Sequence, residues 1–229
     1  LGQKQAAVDR ITFIEEVTGQ ISDITTELEA ARCDIEALTS VSTRTVSLSD
    51  KALFHVRAGK RIRDVDIKQN PGDVPVYSCF RAATIVKGRI SAKWLKNHRK
   101  PIEHRPLVSV NANGASVGKV FVRNERCTIT DEVIIVEPLN QDIDVEFLAS
   151  QLRSSVDRGD FIYEAKLFAG RVRDLTVELP LTADGRFDRK QQRDIALAVK
   201  RFDSIRERLK ESGRWCGDVR ISWLEEAEQ

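Results

Sequence analysis

The feature that most constrains this sequence is an apolar heptad repeat near the N-terminus. From Ile14 to Leu38 the apolar residues alternate in spacing between three and four, and acidic residues lie between them. This pattern is typical of a helix that buries one narrow stripe against another helix. A helix of roughly 30 residues is about 45 Å long, too long for a small domain to cover, so a helical partner is needed. The repeat consists of Ile14, Val17, Ile21, Ile24, Leu28, Ala31, Ile35 and Leu38.

A second apolar seam, with similar spacings, lies near the C-terminus. Asp188 stands where a helix N-cap is expected, and Gly213 follows the seam, which predicts that the helix ends there. The two predicted helices can pair with each other or with the helices of another subunit, and the sequence leaves both arrangements open. The seam consists of Ile195, Ala198, Phe202, Ile205 and Leu209.

The chain between the two helices has short apolar runs separated by glycine, proline and asparagine, which predicts strands and turns. One helix is expected from Asp144, its N-cap, to Leu152. We therefore predict an α+β fold, in which a mixed, twisted-sheet domain is flanked by long coiled-coil-like helices. The expected divisions are 1–44, 45–186 and 187–229. The predicted strands are Val74–Cys79, Ala83–Val86, Leu107–Val110, Val117–Arg123, Glu132–Val136 and Arg173–Leu179.

Positive charge is concentrated in the middle of the chain. Residues 57–126 contain sixteen basic and five acidic residues, a net charge of +11, although the whole chain carries only +2. Residues 1–40 and 127–180 carry net charges of −5 and −6. A basic block between acidic flanks is expected of a surface that meets a polyanion such as nucleic acid.

The composition argues against several classes of protein. No apolar run approaches the ~20 residues of a membrane helix, and the N-terminus lacks the order of a signal peptide, so we expect a cytoplasmic protein without membrane contact. The four cysteines form no C-x-x-C pair and have no histidine at ligand spacing, which argues against structural zinc. We expect no metal and no cofactor. The absence of methionine, even at position 1, leads us to expect a piece of a longer polypeptide.

The glycine-rich run from Asn111 to Lys119 invites comparison with a nucleotide-binding loop. A phosphate-binding P-loop has four residues between its glycines, whereas three separate Gly114 from Gly118 here. A tight turn between two strands is therefore favoured. Such a turn, rich in asparagine, serine and backbone amides, can still contact DNA.

Asp144, Glu164 and Lys166 have the residue types of a metal-dependent nuclease. Nothing in the sequence makes the two carboxylates converge on one cation, and Asp144 has a simpler role as a helix cap. We therefore favour a solvated surface over a metal site. The three histidines have no serine or cysteine partner at a motif spacing, so a nucleophilic triad has no support.

The segment 87–100 interleaves basic residues with a tryptophan and an asparagine. A run of charge is usually a solvated surface. Here the local imbalance is large, and arginine and asparagine are the types that bond bidentately to guanine and adenine edges. Contact with nucleic acid is therefore favoured over a simple solvated loop.

The order and spacing of several short motifs resemble the target recognition domain of type I restriction-modification specificity subunits. Each motif is weak alone, but the combination covers about residues 50 to 210 and is fairly specific. In that family a strand ends in proline and a glutamine opens a long helix. The motifs are GDVPVYS at 72–78, GRI at 88–90, GASVGKV at 114–120, YEAKLF at 163–168, LTVELP at 175–180, GRFD at 185–188 and QRDIA at 192–196.

The resemblance implies two recognition domains held apart by long antiparallel helices, each domain reading half of a split DNA site. This chain has one recognition domain between two heptad helices. The departure suggests a half-subunit that forms a homodimer through its helices, or the specificity part of a fused N6-adenine DNA methyltransferase. By the same resemblance, the helices dock the methyltransferase and restriction subunits or domains.

The leading hypothesis is sequence-specific recognition of double-stranded DNA without catalysis. Basic side chains are expected to neutralise phosphates, while arginine, asparagine and serine on loops read base edges. The alternative is a coiled-coil interaction module with an acidic protein partner, and a nuclease is the weaker third hypothesis. The predicted DNA-binding residues are Arg57, Lys60, Arg61, Arg81, Lys87, Arg89, Lys93, Lys96, Asn97, Arg99, Lys100, Asn111, Asn113, Ser116, Lys119 and Arg123.

Overall fold

The structure, a computed structural model, describes residues 2–155 and 167–226, with side-chain surroundings at residue 15, at 18–155 and at 167–213. The chain divides into two compact units. One unit is formed by the long helix α1 (Gly2–Thr39) and by the part of helix α6 (Arg189–Glu226) that follows Arg193. The other unit contains Val41–Arg193 and is called the mixed domain below.

The heptad seams pair α1 with α6 inside the helical unit. Every described seam residue of α1 is buried or half-buried, while the positions between them are exposed. Ion pairs flank the seam, Arg201 with Asp34 at 3.4 Å and Arg208 with Glu27 at 2.8 Å. The two helices of the chain therefore pair with each other, which is one of the two arrangements that the sequence leaves open. The packed residues are Ile24, Leu28, Ala31, Phe202, Ile205 and Leu209, whereas the side chains of Ile14 and Val17 lie outside the described residues.

The start of α6 is predicted correctly and its end is not. The Asp188 carboxylate accepts a hydrogen bond from the backbone N–H of Gln191 at 2.9 Å, which confirms the predicted N-cap. The helix continues through Gly213 to Glu226, so the predicted stop is wrong. A glycine in a helix interior costs only about 1 kcal/mol relative to alanine, which continued helical hydrogen bonding outweighs.

The mixed domain contains nine strands and four helices, besides the first turn of α6, within its described residues. A short 3₁₀ turn at Gly114–Ser116 joins two of the strands. In chain order the elements are β1 (Thr43–Ser47), β2 (Phe54–Ala58), α2 (Asp64–Gln69), β3 (Pro71–Tyr77), β4 (Gly88–Ile90), α3 (Ala92–Asn97), β5 (Leu107–Asn111), β6 (Val120–Arg123), β7 (Thr128–Ile129), β8 (Val133–Pro138), α4 (Val145–Ser155), α5 (Ala169–Arg173) and β9 (Thr176–Pro180).

The strands form three sheets. The largest is antiparallel, with the order β2-β8-β5-β6, and a smaller sheet has the order β4-β3-β7, in which β3 and β7 run parallel. Strands β1 and β9 make an antiparallel pair. Strand β5 is buried at all five positions because it lies between β8 and β6, and its apolar sequence suits a central strand. The mixed α+β class is therefore confirmed, with the long helices α1 and α6 as predicted.

Several predicted strands differ from the observed ones. Residues 83–86, predicted as a strand, form a turn with Ala83, Thr84 and Ile85 exposed. The Ala83 carbonyl accepts a hydrogen bond from Arg123, and the Ile85 N–H donates to the Ala82 carbonyl, so these groups do not pair with a neighbouring strand. The strand predicted from Arg173 begins at Thr176, since Arg173 ends α5. The other four predicted strands are confirmed with shifted ends, and the strands β1, β2, β4 and β7 were not predicted.

The predicted helix at 144–152 is confirmed as α4. The Asp144 carboxylate accepts hydrogen bonds from the backbone N–H groups of Glu146 and Phe147, at 3.0 and 3.2 Å, as an N-cap should. Phe147, Leu148 and Leu152 are buried. No helix in the described ranges is long and apolar enough to cross a membrane.

Candidate DNA interface

A short helix displays basic residues at the surface of the mixed domain. Helix α3 begins after Ser91, whose Oγ accepts a hydrogen bond from the backbone N–H of Trp94. Leu95 is fully buried in the core around β3 and β4, which fixes the inner face of the helix. Ala92 and Trp94 pack against the same core and are half-buried, while the basic positions face solvent. These residues, called the α3 basic cluster, are the exposed Lys93, Lys96, Asn97 and Arg99 and the half-buried Lys100.

No ion pair neutralises the α3 basic cluster within the part of the chain that the structure describes. Basic residues near the cluster do have acidic partners. Arg63 pairs with Asp66 at 2.7 Å, and Lys87 lies 3.5 Å from Asp64. The acidic residues of the region are thus engaged elsewhere, and the cluster keeps its full positive charge for an external anion.

Arg99 has the one left-handed backbone conformation found outside glycine in the described residues, with φ at 52°. It follows the C-terminal end of α3, where the backbone N–H groups of Arg99 and Lys100 donate to the carbonyls of Lys96 and Leu95. Glycine is the residue that favours this position, because a side chain there costs of order 1 kcal/mol. An arginine kept at a strained position within a basic surface is a candidate for function.

Arg99→Gly is therefore expected to leave stability unchanged or raise it by up to about 1 kcal/mol, while weakening DNA binding about fivefold through the loss of one phosphate contact. Thermal unfolding and a dissociation constant for duplex DNA measure the two effects. The control Arg99→Lys keeps the charge and should change neither quantity much. A variant that loses stability and keeps its affinity would contradict a functional role for Arg99.

Several other predicted DNA-binding residues lie outside α3, and of these all except Asn113 are exposed. Arg89 donates a hydrogen bond to the Asp73 carbonyl at 2.9 Å, and its side chain remains exposed. The structure brings Lys119 and Arg81 together, since the Lys119 ammonium donates to the Arg81 carbonyl at 3.3 Å. Asn113 is half-buried before the 3₁₀ turn, while Lys60 and Arg61 are exposed after β2.

Two predicted cations have acidic partners inside the domain. Arg57 lies in β2 with its guanidinium 2.7 Å from the Glu103 carboxylate and 3.6 Å from that of Glu137. Lys87 is half-buried beside Asp64. Because these charges are already compensated, the two residues contribute less to an external anion site than the α3 basic cluster.

Three predicted residues are buried, which corrects the expectation that they contact DNA. Asn111 is 0% exposed, and Ser116 and Arg123 are each 4% exposed. Asn111 ends the covered strand β5, and Arg123 ends β6 with its guanidinium directed inward. Their hydrogen bonds go to backbone carbonyls of the loop between β3 and β4, so these side chains position a surface segment without reaching the surface themselves.

Arg123 lies against aromatic rings inside the domain. Its guanidinium carbon is 3.7 Å from the centre of the Tyr77 ring and 5.1 Å from that of Phe121. Burial lowers the pKa of Arg123, but an arginine keeps its proton at neutral pH. Burial, and then the hydrogen bond to Glu125, raise the pKa of Tyr77 to about 12. The pair is therefore a cation against a neutral phenol, which suits a structural role.

Some parts of the basic surface could be found only from the structure. Lys68 and Arg105 are exposed and belong to the basic block, but no motif distinguishes them. The exposed loop from Arg81 to Ile85 was not predicted, because part of it has an apolar composition with the β propensity of a strand.

The carboxylate of Asp144 is occupied by structural partners. Besides capping α4, it lies 3.1 Å from the Arg193 guanidinium and 3.9 Å from that of Arg189. No group of three or more metal-ligating side chains is found among the described residues. Glu164 and Lys166, the other members of the nuclease hypothesis, lie outside the described residues. The role of Asp144 as a cap, held by two arginines, supports the structural interpretation.

Comparison with known proteins agrees with the motif resemblance. No family model matches the chain. Over 103 residues, 45% of this chain and 51% of its relative, it is 33% identical to a Mycoplasma pneumoniae protein named as the N-terminus of a type I specificity subunit. The chain thus spans about half the length of that relative.

Solved structures show the same fold. A type I restriction-modification S subunit from M. genitalium matches 88% of this chain and 56% of its own, with a TM-score of 0.50 and 16% identity. The HsdS subunit from Thermoanaerobacter tengcongensis matches 92% of this chain and 50% of its own, with a TM-score of 0.58 and 13% identity. A chain from a structural study of the type I restriction-modification system matches 98% of this chain and 57% of its own, with a TM-score of 0.59 and 13% identity.

The sequence relative and the structural neighbours confirm the resemblance to type I specificity subunits. At these identities the structures establish the fold, which is that of a target recognition domain with its long helices. The matches cover roughly half of each of those chains.

Proposed function

We propose that this chain recognises a sequence in double-stranded DNA as the specificity part of a type I restriction-modification system, without catalysis of its own. The observation that carries the proposal is the α3 basic cluster, in which the cations of Lys93, Lys96 and Arg99 are exposed and have no ion-pair partner among the described residues, on a recognition-domain fold. Lysine and arginine there would neutralise phosphates, and Asn97 with Arg99 have the donors that read base edges. Recognition would direct an adenine methyltransferase and an endonuclease to the site.

The helices α1 and α6 would provide the partner surface in this proposal. They extend as a paired apolar seam with charged flanks, and a paired helix of this length sets a fixed spacing between the groups at its ends. We propose the division of roles at 1–44, 45–186 and 187–229, with the middle part on DNA and the outer parts on methyltransferase and restriction subunits or on a second copy of this chain. A cytoplasmic location accompanies this role.

Selection from a randomised duplex pool tests the proposal. We expect successive rounds at about 0.15 M salt to enrich a defined motif, because base contacts add several kcal/mol to the charge-driven affinity. Binding without enrichment, with a steep salt dependence, would leave only non-specific affinity for DNA. A second pool, in which a fixed and unrelated sequence is flanked by randomised bases, is the control. It shows how much enrichment arises from amplification alone.

A further inference from the structure

We propose that the loop Arg81–Thr84, between β3 and β4, binds a phosphate of the DNA backbone through its main-chain N–H groups. This inference rests on the proposed function and assigns to it a contact site made of main-chain donors. The loop lies in the basic block, and its residues from Arg81 to Ile85 are all exposed.

The carbonyl groups of this loop are held by four side chains from β5, β6 and the segment between them. Asn111 also donates to Ser116 Oγ at 3.0 Å, so two members of the set support each other. We call these four side chains the carbonyl clamp. The contacts run from Ser116 Oγ to the Cys79 carbonyl at 3.2 Å, from Asn111 Nδ2 to the Phe80 carbonyl at 2.9 Å, from Lys119 Nζ to the Arg81 carbonyl at 3.3 Å, and from Arg123 to the Ala83 carbonyl at 2.5 Å.

Peptide geometry then determines where the amides of the loop point. In a planar trans peptide, the N–H of each residue is directed opposite to the preceding carbonyl, and no cis peptide bond is found in the described chain. Because the carbonyls of Phe80, Arg81 and Ala83 point to the carbonyl clamp, the N–H groups of Arg81, Ala82 and Thr84 point away from it. The Phe80 N–H, opposite the Cys79 carbonyl, is already used by Ser78.

These three amides have no acceptor among the residues that the structure describes. They are solvent-facing donors within four residues of chain, and a polar group left without a protein partner must be satisfied by water or by a ligand. A ligand that accepts several N–H bonds at once is an anionic oxygen group, and backbone amides commonly contact DNA phosphates. The small side chains of Ala82 and Ala83 leave the main chain accessible, and the exposed Arg81 adds positive charge.

The variant Ala82→Pro removes one of the amide hydrogens without changing any charge. We expect it to weaken duplex binding about tenfold or more, as for the loss of one charge-assisted hydrogen bond, while the dependence of affinity on salt stays the same. The matched control Ala82→Ser keeps the amide and should bind as the wild type does. Equal affinity of the proline variant and the wild type overturns the inference.

A second measurement uses the unaltered protein, so it does not depend on how a proline is accommodated. Amide hydrogen exchange at residues 81–84 is followed with two duplexes of equal length, one enriched from the randomised pool and one with its sequence scrambled. Slower exchange with both duplexes, at concentrations that saturate each, is the expected result, since both carry phosphates. Protection by the enriched duplex alone would indicate contact with base edges and overturn the phosphate assignment, as would protection by neither.

The two proposals fail in different ways. If the wild type binds neither duplex, the proposed function is wrong and the loop site is removed with it. If the wild type binds and selects a sequence while exchange in the loop is unchanged, only the loop site is wrong.

Discussion

Replacing Lys93, Lys96 and Arg99 together by glutamine is expected to weaken binding to duplex DNA about 100-fold at roughly 0.15 M salt. Each cation that neutralises a phosphate releases counterions, so the slope of log affinity against log salt should fall by about 2.7 in magnitude. The three side chains are exposed and form no ion pair with any described residue, so the fold should tolerate the change. Dissociation constants across a salt series measure both effects.

A control with the same loss of charge separates a local contact from a general field effect. Lys200, Arg206 and Lys210 lie on α6, and the last two pair with acidic residues of the same helix. Their replacement by glutamine should change affinity several-fold at most. Equal weakening in the two triple variants would mean that the α3 basic cluster has no special role.

Gly59→Ala is expected to destabilise the mixed domain by about 3 kcal/mol, and to lower the unfolding midpoint by roughly 6–12 °C. A Cβ atom at this position would lie 2.3 Å from the Thr130 carbonyl oxygen and 2.4 Å from that of Ile129. Neither atom can move freely, because the Gly59 N–H donates to the Val133 carbonyl and the Lys60 N–H to the Ile129 carbonyl. Thermal and denaturant unfolding both measure this loss.

Gly213→Ala provides the matched comparison, since a Cβ there meets nothing within 4 Å. The glycine lies inside α6, where alanine should add about 0.5–1 kcal/mol through lower backbone entropy in the unfolded chain. The same glycine-to-alanine change is therefore expected to destabilise the protein at Gly59 and to stabilise it at Gly213. An unchanged midpoint for Gly59→Ala would show that Gly59 does not approach the Ile129 and Thr130 carbonyls as closely as the structure has it.

The sequence predicts those parts of the fold that depend on local periodicity. The heptad seams of α1 and α6 repeat over many residues and so predict the two long helices, although Gly213 led to a wrong end for α6. Caps such as Asp144 and Asp188 are read from their position before a periodic run. The mixed α+β class follows from the change in pattern between the helices, and the resemblance to a recognition domain follows from the order of short motifs.

Long-range partners explain what the sequence does not predict. Arg123 belongs to a basic block, and only the fold shows that Tyr77, 46 residues earlier in the chain, lies against its guanidinium. Asn111 and Ser116 have the composition of an exposed turn, yet both are buried, and their side chains bond to carbonyls of the loop after Tyr77. Residues 83–86 have the apolar composition of a strand, but their neighbours in the fold are side chains: the Ala83 carbonyl is bonded by Arg123 of the carbonyl clamp and not by an adjacent strand.

The most direct test of the account compares the affinity of the protein for the enriched duplex with its affinity for a scrambled duplex of equal length, at about 0.15 M salt. For a sequence-specific reader we expect a ratio of about 10³ or more, with the salt slope similar for both because the phosphate contacts are shared. Equal affinity for the two duplexes would contradict specific recognition and would leave a basic surface that binds DNA by charge alone.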